Sequence, residues 1–534
     1  MCGIAGIYSP QKSVSQPALE SARQRLLHRG PDGYGEFVDG DVGLVHTRLS
    51  IIDLAGGAQP LVSCDGRYQL VANGEIYNYP ELRQSASPEW QTRSESDCEA
   101  IIQQWHRYGP DGLKQLHGMF AFALFDTHTR ELVLARDRTG IKPLYLAKSA
   151  AGLSFASEVK ALLPLLEHQP DICGNALAEF LDFQFSSGGK TIFDGIEEVR
   201  PGELVRVSAD GNISRQQWWS LARVEPVQMD MTQAQQAFQP LFDQVMLEHM
   251  RSDVPFGLFL SGGIDSSVLL AELSELRGEG LRTWSIGFEG SEMADELDAA
   301  TALARHFKSN HQAIRVGKQQ LFDAIVRSTW AADDLMRDYA NLPTLLLSEL
   351  AGKEVKVVFS GEGGDEAFAG YRRYRPSLGS LLKSGLLGAG GHRSRPQWVG
   401  PKRRLMRPQL AGVTSRRVFI DTWEAANPNW DWMQKSQAVD IQTALADNLL
   451  QKADRMMMSG GLEGRVPFSD HRLIEFGLSL PREVKYGSQG GKLLLRQWSV
   501  RHLPSEVLSR PKRGFYVPVA EWLQGDFLQQ LGQR

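Results

Sequence analysis

The sequence predicts two domains of different class: an α+β layered amino-terminal domain, then an α/β domain on a parallel sheet with a helical carboxy-terminal part. Three observations carry this prediction. The chain has 534 residues, well beyond the roughly 250–300 at which a single core stops growing. Residues 2–150 read as short β-rich runs closed by Gly or Asp turns, with few helices. From residue 254 short apolar runs instead alternate with helical stretches, the pattern of right-handed βαβ units.

In the first domain, residues 2–8, 43–52, 68–73, 120–126 and 132–136 predict strands, and apolar residues at helical spacing predict helices over 18–27 and 98–108. Residues 169–231 carry turn signals and the Trp218-Trp219 pair, and read as the end of this domain plus a connector. In the second domain, 255–260, 283–288, 311–316 and 355–360 predict strands, with helices over 266–276 and 296–307. The chain is then basic and rich in Gly and Pro over 372–417, and reads as helical from Asp440 to near Trp522. No internal repeat or low-complexity tract occurs.

Composition narrows the function classes. With 42% hydrophobic and 23% charged residues the chain is of ordinary globular make-up. The 58 Lys and Arg against 63 Asp and Glu leave a net charge of −5, which gives no global attraction to nucleic acid or anionic lipid, so neither is expected as a partner. No apolar run reaches the roughly 18 residues of a membrane span, and Met1-Cys2-Gly3-Ile4 lacks the basic start and apolar core of a secretion signal. The four cysteines, Cys2, Cys64, Cys98 and Cys173, lack metal-ligand spacing and are too sparse for a disulfide scaffold, which fits a reducing cytoplasm.

Two loops of the second domain point to phosphate chemistry. Residues 255–260, an apolar strand, run into Ser261-Gly-Gly-Ile-Asp-Ser-Ser267 and an amphipathic helix. Such a turn aims backbone N–H groups and a positive helix end at one spot, while Gly262 and Gly263 let an anion approach closely. Ser261 and Ser266 add hydroxyls, and Asp265 makes sense in an anion-binding loop when Mg²⁺ bridges it to the phosphate. A short Ser-Gly-Gly alone would read as an ordinary capped turn; the whole string after a strand favours the cradle. The second loop, Gly361-Glu-Gly-Gly-Asp-Glu366, also follows an apolar strand, so both can face one nucleotide, with Asp265 and Asp365 sharing the metal. A solvated acidic turn is the competing reading. Ser186-Ser-Gly-Gly-Lys-Thr191 imitates a P-loop end, but Gln184 stands where the first Gly is required. The glycines of 361–364 lack dinucleotide-fold spacing.

Five amino-terminal motifs, Met1-Cys-Gly-Ile-Ala-Gly-Ile7, His28-Arg-Gly-Pro-Asp32, His46-Thr-Arg-Leu-Ser-Ile-Ile-Asp53, Asn73-Gly-Glu-Ile-Tyr-Asn78 and Ser96-Asp-Cys-Glu99, resemble the class II glutamine amidotransferase domain, an N-terminal-nucleophile (Ntn) hydrolase. The two loops above, with Leu462-Glu-Gly-Arg-Val-Pro-Phe468, resemble the synthetase domain of the glutamine-hydrolysing asparagine synthetase family, bacterial B type, an ATP-pyrophosphatase-like fold. The resemblance covers nearly the whole chain. It implies an amidotransferase domain over 2–215 and an ATP-binding synthetase domain over 235–525.

The implied chemistry agrees with the residues. Removal of Met1 makes Cys2 the first residue, with its own α-amino group, of pKa near 8, as proton acceptor for the thiol. The resemblance assigns the oxyanion donors to the Asn73 side chain and the Gly74 N–H, the glutamine α-carboxylate to Arg48, and its α-ammonium to Glu75 and Asp97. His28 and His46 read as structural hydrogen-bonders. In the second domain ATP would adenylate a carboxylate and ammonia would attack the acyl-adenylate. Lys492 matches the family lysine that neutralises phosphate charge, with a solvated helix-start lysine as its alternative. Glu362 matches the family glutamate near the reacting centre. Phe259, Ile286, Ser360 and Gly361 are implied at the nucleotide site. Glutamine, ATP and aspartate are the implied substrates, Mg²⁺ the implied metal, and a homodimer a further implication.

Three rivals remain open. The β-lactam-forming synthetases share the fold, but Cys2 is present and Glu362 stands where they resemble one another in carrying Tyr. An amidotransferase with another acceptor carboxylate is nearer, because Asp333-Asp-Leu-Met-Arg-Asp-Tyr-Ala340 departs from the commoner Asp-Glu-Pro-Phe-Ala-Asp-Ser-Ser, Ser469 replaces the usual Leu, and Arg337 could recognise an extra anion. A non-catalytic binding or scaffold role is favoured only by the basic stretch 393–407, which reads either as a dock for an acidic carrier protein or nucleic acid or as solvated surface.

Overall fold

The computed structural model describes residues 2–10, 12–87, 90–149, 152–289, 297–336, 338–375, 416–488, 490–505 and 517–518. Met1, Arg337 and the basic stretch 393–407 therefore lie outside the described residues.

Strands of the first domain, among the described residues, are β1 (Gly3–Tyr8), β2 (Gly33–Asp39), β3 (Val42–Arg48), β4 (Leu61–Val62), β5 (Tyr68–Ile76), β6 (Gly118–Asp126), β7 (Glu131–Arg136), β8 (Tyr145–Ser149), β9 (Gly152–Ala156), β10 (Ile196–Glu198), β11 (Glu203–Val207) and β12 (Ile213–Gln217). They form two six-stranded sheets, ordered β10-β8-β9-β1-β3-β2 and β12-β11-β7-β6-β5-β4. Alternation along each strand decides the layering. Ile4, Tyr8, Val71, Ala121, Ala123 and Phe125 point between the sheets. Ala5 and Val45 face outward onto Leu19 and Ala22 of the helix Gln16–Gln24. Leu70, Ala72, Phe120 and Phe122 meet Ile101, Ile102 and Trp105 of the helix Glu99–Tyr108. The result is the α+β layering expected from sequence, with helices outside a pair of sheets.

The second domain carries β13 (Phe256–Phe259), β14 (Arg282–Phe288), β15 (Asn310–Val316), β16 (Val357–Phe359) and β17 (Glu463–Arg465), all parallel, in the order β15-β14-β13-β16-β17. The chain winds outward from β13 to β15, then returns to the other side of β13. The crevice above the ends of β13 and β16 is thus the topological switch point where α/β sheets bind ligands.

Two expectations are corrected. Residues 49–52 leave the sheet after Arg48, because Leu49, Ile51 and Ile52 belong to a core shared with Phe242, Val245, Met246 and Phe468 of the second domain. The carboxy-terminal part is not uniformly helical: β17 interrupts it between the helices Gln451–Ser459 and His471–Ser479. A short strand buried on both faces has no alternation to betray it. No helix among the described residues is long and apolar enough to cross a membrane.

Polar contacts tie the domains beside the shared apolar core. Arg29, fully buried, pairs at 2.8 Å with Glu158 of its own domain and at 2.8 Å with Asp454 of the other, and Lys142 reaches Asp454 at 3.3 Å. Replacing Arg29 by Met leaves two buried carboxylates short of their cation, which is expected to cost about 3–5 kcal/mol. Denaturant unfolding reads this as a lowered midpoint; an unchanged midpoint would show that the pair contributes nothing net.

Candidate active sites

Cys2 sits at the mouth of β1, 7% exposed, with its backbone held on both sides. Its N–H donates to Asn73 Oδ1 at 3.2 Å, and its carbonyl accepts from Arg29 Nε at 3.1 Å. The first bond orients the Asn73 carboxamide, so that Nδ2 is a buried donor with no partner among the described residues. Burial pushes the Cys2 thiol above its usual range, while the Leu49 N–H favours the thiolate. Gly74 is required by the sheet: a Cβ there would lie 2.3 Å from the Met119 carbonyl oxygen.

Glu75 follows Asn73 by two residues and so shares its face of β5. Burial, then the like charges of Glu463 and Asp97, push its carboxyl well above the usual range, with Arg465 opposing. Asp97 is pushed up to about 6, chiefly by burial, although it accepts the Ile76 N–H at 2.7 Å. Arg48 uses Nη2 to hold the Ile52 and Asp53 carbonyls at 3.2 and 2.5 Å. The charges of Glu75 and Arg48 both reach the Cys2 thiol, the first raising and the second lowering its pKa. Neither histidine is a base for the thiol. Burial pulls His46 down to about 3, and His28 pairs with Glu158 at 3.1 Å against the Trp330 ring.

The second site lies above β13 and β16. Ser261 Oγ and Ser266 Oγ are 2.9 Å apart, the Gly263 N–H donates to Ser261 Oγ at 3.2 Å, and the helix Ile264–Arg277 starts at this turn. Gly262 completes the loop, with half-buried Phe259 and buried Ile286 below it. Ser360 donates its N–H to the Arg465 carbonyl at 2.9 Å and leads into the second loop. That loop closes on the first through its glycines: a Cβ on Gly361 would lie 2.9 Å from Asp265 Cβ, and one on Gly364 2.6 Å from Asp265 Oδ1. Gly363, at φ +96°, turns the chain against Phe468 and Ser469.

Asp265 and Asp365 meet at Lys492, whose Nζ lies 2.5 Å from one carboxylate and 2.9 Å from the other. Burial alone would lower this ammonium's pKa; the two aspartates outweigh it and raise it. Lys492 is therefore an anchored cation rather than a solvated helix start. Glu362 has a buried Oε2 with no hydrogen-bond partner among the described residues, and its carbonyl accepts from Ser469 Oγ at 3.0 Å.

The acidic residues of 333–340 divide. Asp333 accepts the Val159 and Lys160 N–H groups, and Asp334 the Ile192 N–H, so both serve the domain interface. Asp338 instead pairs with Lys452 at 3.2 Å, and Lys452 also feels the charge of Glu362. The imitation P-loop is structural: Lys190 pairs with Glu179. Sequence reasoning missed Arg465, Glu463 and Asp454. Arg465 and Glu463 stand inside the 462–468 motif, which was the available signal.

Fold and sites together define a two-site enzyme, an N-terminal-nucleophile amidotransferase joined to a nucleotide-binding synthetase. Residues 1–219 match the glutamine amidotransferase domain family and residues 237–534 the asparagine synthase family. The chain is 33% identical to asparagine synthetase [glutamine-hydrolyzing] 1 of Bacillus subtilis, over 98% of this chain and 88% of that one. It is 34% identical to a putative asparagine synthetase [glutamine-hydrolyzing] of Mycobacterium tuberculosis, covering 99% and 89% respectively. It is 29% identical to asparagine synthetase B of Escherichia coli, covering 96% and 82%. The chain belongs to the asparagine synthase family, and is a glutamine-dependent, ATP-driven amide-forming ligase.

The contact between the two nucleotide loops is open to a direct test. Gly364→Ala places a methyl group against the Asp265 carboxylate that Lys492 holds. Diphosphate release should fall on the order of 10²-fold while glutamine hydrolysis persists; equal loss of both would mean that the substitution acts on the whole fold.

Proposed function

We propose that this enzyme transfers the amide nitrogen of glutamine to aspartate, giving asparagine and glutamate at the expense of ATP, which becomes AMP and diphosphate. The observation that carries the reading is the Cys2–Asn73 pairing, which fixes the future α-amine and leaves a buried amide donor unused beside the thiol.

The glutaminase half follows from that arrangement. With Met1 removed, the nitrogen now bonded to Asn73 Oδ1 is a free amine beside its own thiol, suited to accept the thiol proton. Sulfur attacks the side-chain carbonyl carbon of glutamine, and Asn73 Nδ2 with the Gly74 N–H stabilises the oxyanion. Ammonia leaves, and water releases glutamate from the thioester. Arg48 holds the α-carboxylate, while Glu75 and Asp97 hold the α-ammonium.

In the synthetase half, the acceptor carboxylate attacks the α-phosphorus of ATP and diphosphate leaves toward Ser261–Ser267 backbone donors and Lys492. Phe259 and Ile286 flank the adenine, with Ser360 and Gly361 beside the nucleotide. Asp265 and Asp365, hard oxygen donors that both contact Lys492, would hold Mg²⁺, which commonly takes one or two carboxylates plus phosphate oxygens. When bound, that ion neutralises charge on the departing diphosphate. Ammonia then attacks the acyl-adenylate and AMP leaves, with Glu362 placed to take the surplus proton. Asp338 and Lys452 offer one charge of each sign next to Glu362, which a zwitterionic acceptor such as aspartate requires. The names of the bacterial relatives support the same acceptor. Four free cysteines, one of them the nucleophile, fit a reducing cytoplasm.

Two measurements test the reading. With amide-labelled glutamine, ATP, Mg²⁺ and a panel of carboxylates, mass spectrometry should find the label in asparagine; label only in another amide would overturn the choice of aspartate. Cys2→Ala should abolish glutamine use yet keep amide synthesis from ammonium. Loss of both in a folded variant would count against two separate sites.

A further inference from the structure

The roles above leave one residue at the glutamine pocket without a function, and it belongs to the other domain. Arg465 is fully buried at the end of β17. Its Nε pairs with Glu463 at 2.7 Å, and its Nη1 donates to the carbonyls of His249 and Arg251 at 2.5 and 2.6 Å. These contacts, all from the synthetase domain, fix the guanidinium plane. What remains is Nη2, a buried donor without a hydrogen-bond partner among the described residues, which stands 3.5 Å from Oε2 of Glu75.

The surroundings explain why a cation belongs here. Glu75, Asp97 and Glu463 are three buried carboxyls within one another's fields, on β5, before the helix Glu99–Tyr108 and on β17. Buried like charges suppress one another's ionisation unless a cation is shared among them. Arg465 engages Glu463 directly and faces one oxygen of Glu75, which leaves the other oxygen for a ligand. Its carbonyl also accepts the Ser360 N–H that opens the nucleotide loop, so the same residue borders both sites.

We propose that Arg465 is a positioning residue of the glutamine pocket: a guanidinium supplied by the synthetase domain that orients and charge-balances Glu75 for the α-ammonium of glutamine. The ammonium subsite is then a two-domain structure. This rests on the assignment of Glu75 and Asp97 to that ammonium, and the experiment separates the two.

The probe pair is glutamine and glutaramate, the analogue that lacks the α-amino group, offered to the full-length enzyme. The KM for glutamine, the kcat of its hydrolysis and the inhibition constant of glutaramate against it are measured for each variant. In Arg465→Met the KM for glutamine should rise about tenfold or more with kcat changed far less, and the glutaramate constant should stay within about twofold. Arg465→Lys, which keeps the charge but not the fork, should recover part of the preference. An equal loss for both compounds, or a fall in kcat at constant KM, would assign Arg465 a merely structural role and overturn the proposal. Should Arg465→Met not fold, Arg465→Lys is read alone: a selective rise for glutamine supports the proposal, and an equal or absent rise overturns it. Glu75→Gln resolves the underlying assignment. If it abolishes the preference while Arg465→Met does not, only the role of Arg465 falls; if it leaves the preference intact, the ammonium assignment falls and the proposal with it.

Discussion

Burying the Arg29 guanidinium between two domains is the constraint on which the rest of the arrangement depends. A cation taken out of water loses several kcal/mol of solvation, and only well-placed carboxylates restore it. Glu158 supplies one from the first domain and Asp454 the other from the second, each at 2.8 Å, so neither domain alone satisfies the group. The same guanidinium donates to the Cys2 carbonyl. The position of Cys2 is therefore set by how the domains dock, and not by the first sheet alone.

The helix Gln451–Ser459 extends this constraint across the second domain. Asp454 faces Arg29 and Lys142, Arg455 binds the Tyr145 hydroxyl and the Ala332 carbonyl, and Lys452 holds Asp338 near Glu362. One helix thus touches both the arginine that holds the Cys2 carbonyl and, two residues away, the proposed acceptor region. Apolar packing fills the space beside it, where Met119 and Ile141 meet Phe242 and Phe468. The polar contacts specify the docking geometry that the apolar core, being non-directional, could not.

Legibility in the sequence followed the range of the interaction. The two fold classes, the strands carrying both loops and the approach of Asp265 to Asp365 could be anticipated, because each rests on a local string or on a topological rule, whereas Lys492, known only through the family resemblance, was not expected between them. Strands β8 to β12 were not anticipated: β8 and β9 are only five residues each, and β10 to β12 lie within 169–231, which the connector reading absorbed. The role of Arg465 was invisible for a different reason. It stands in a recognised motif, but its partner Glu75 is 390 positions away in another domain, and no spacing rule links them. Asp333 and Asp334 show the converse. The stretch 333–340 suggested acceptor recognition because it departs from the family pattern, whereas Asp333, which keeps the family residue, and Asp334, which replaces Glu, accept backbone N–H groups of the neighbouring domain.

Ser469 bears on acceptor identity in the same way. Its side chain is fully buried under the second nucleotide loop, where Oγ donates to the Glu362 carbonyl and the backbone carbonyl accepts from Thr139 Oγ1 at 3.0 Å. A Cβ on Gly363 would lie 2.4 Å from that hydroxyl, so the loop is packed directly on it. The hydroxyl adds a bond to backbone that a leucine could only cover, and it holds the peptide carrying Glu362 from below. The substitution thus alters the support of the reacting loop and not the Asp338–Lys452 charge pair beside it. A change of acceptor would have to be written in groups that face the substrate, and on the proposed reading the Asp338–Lys452 pair keeps one charge of each sign there.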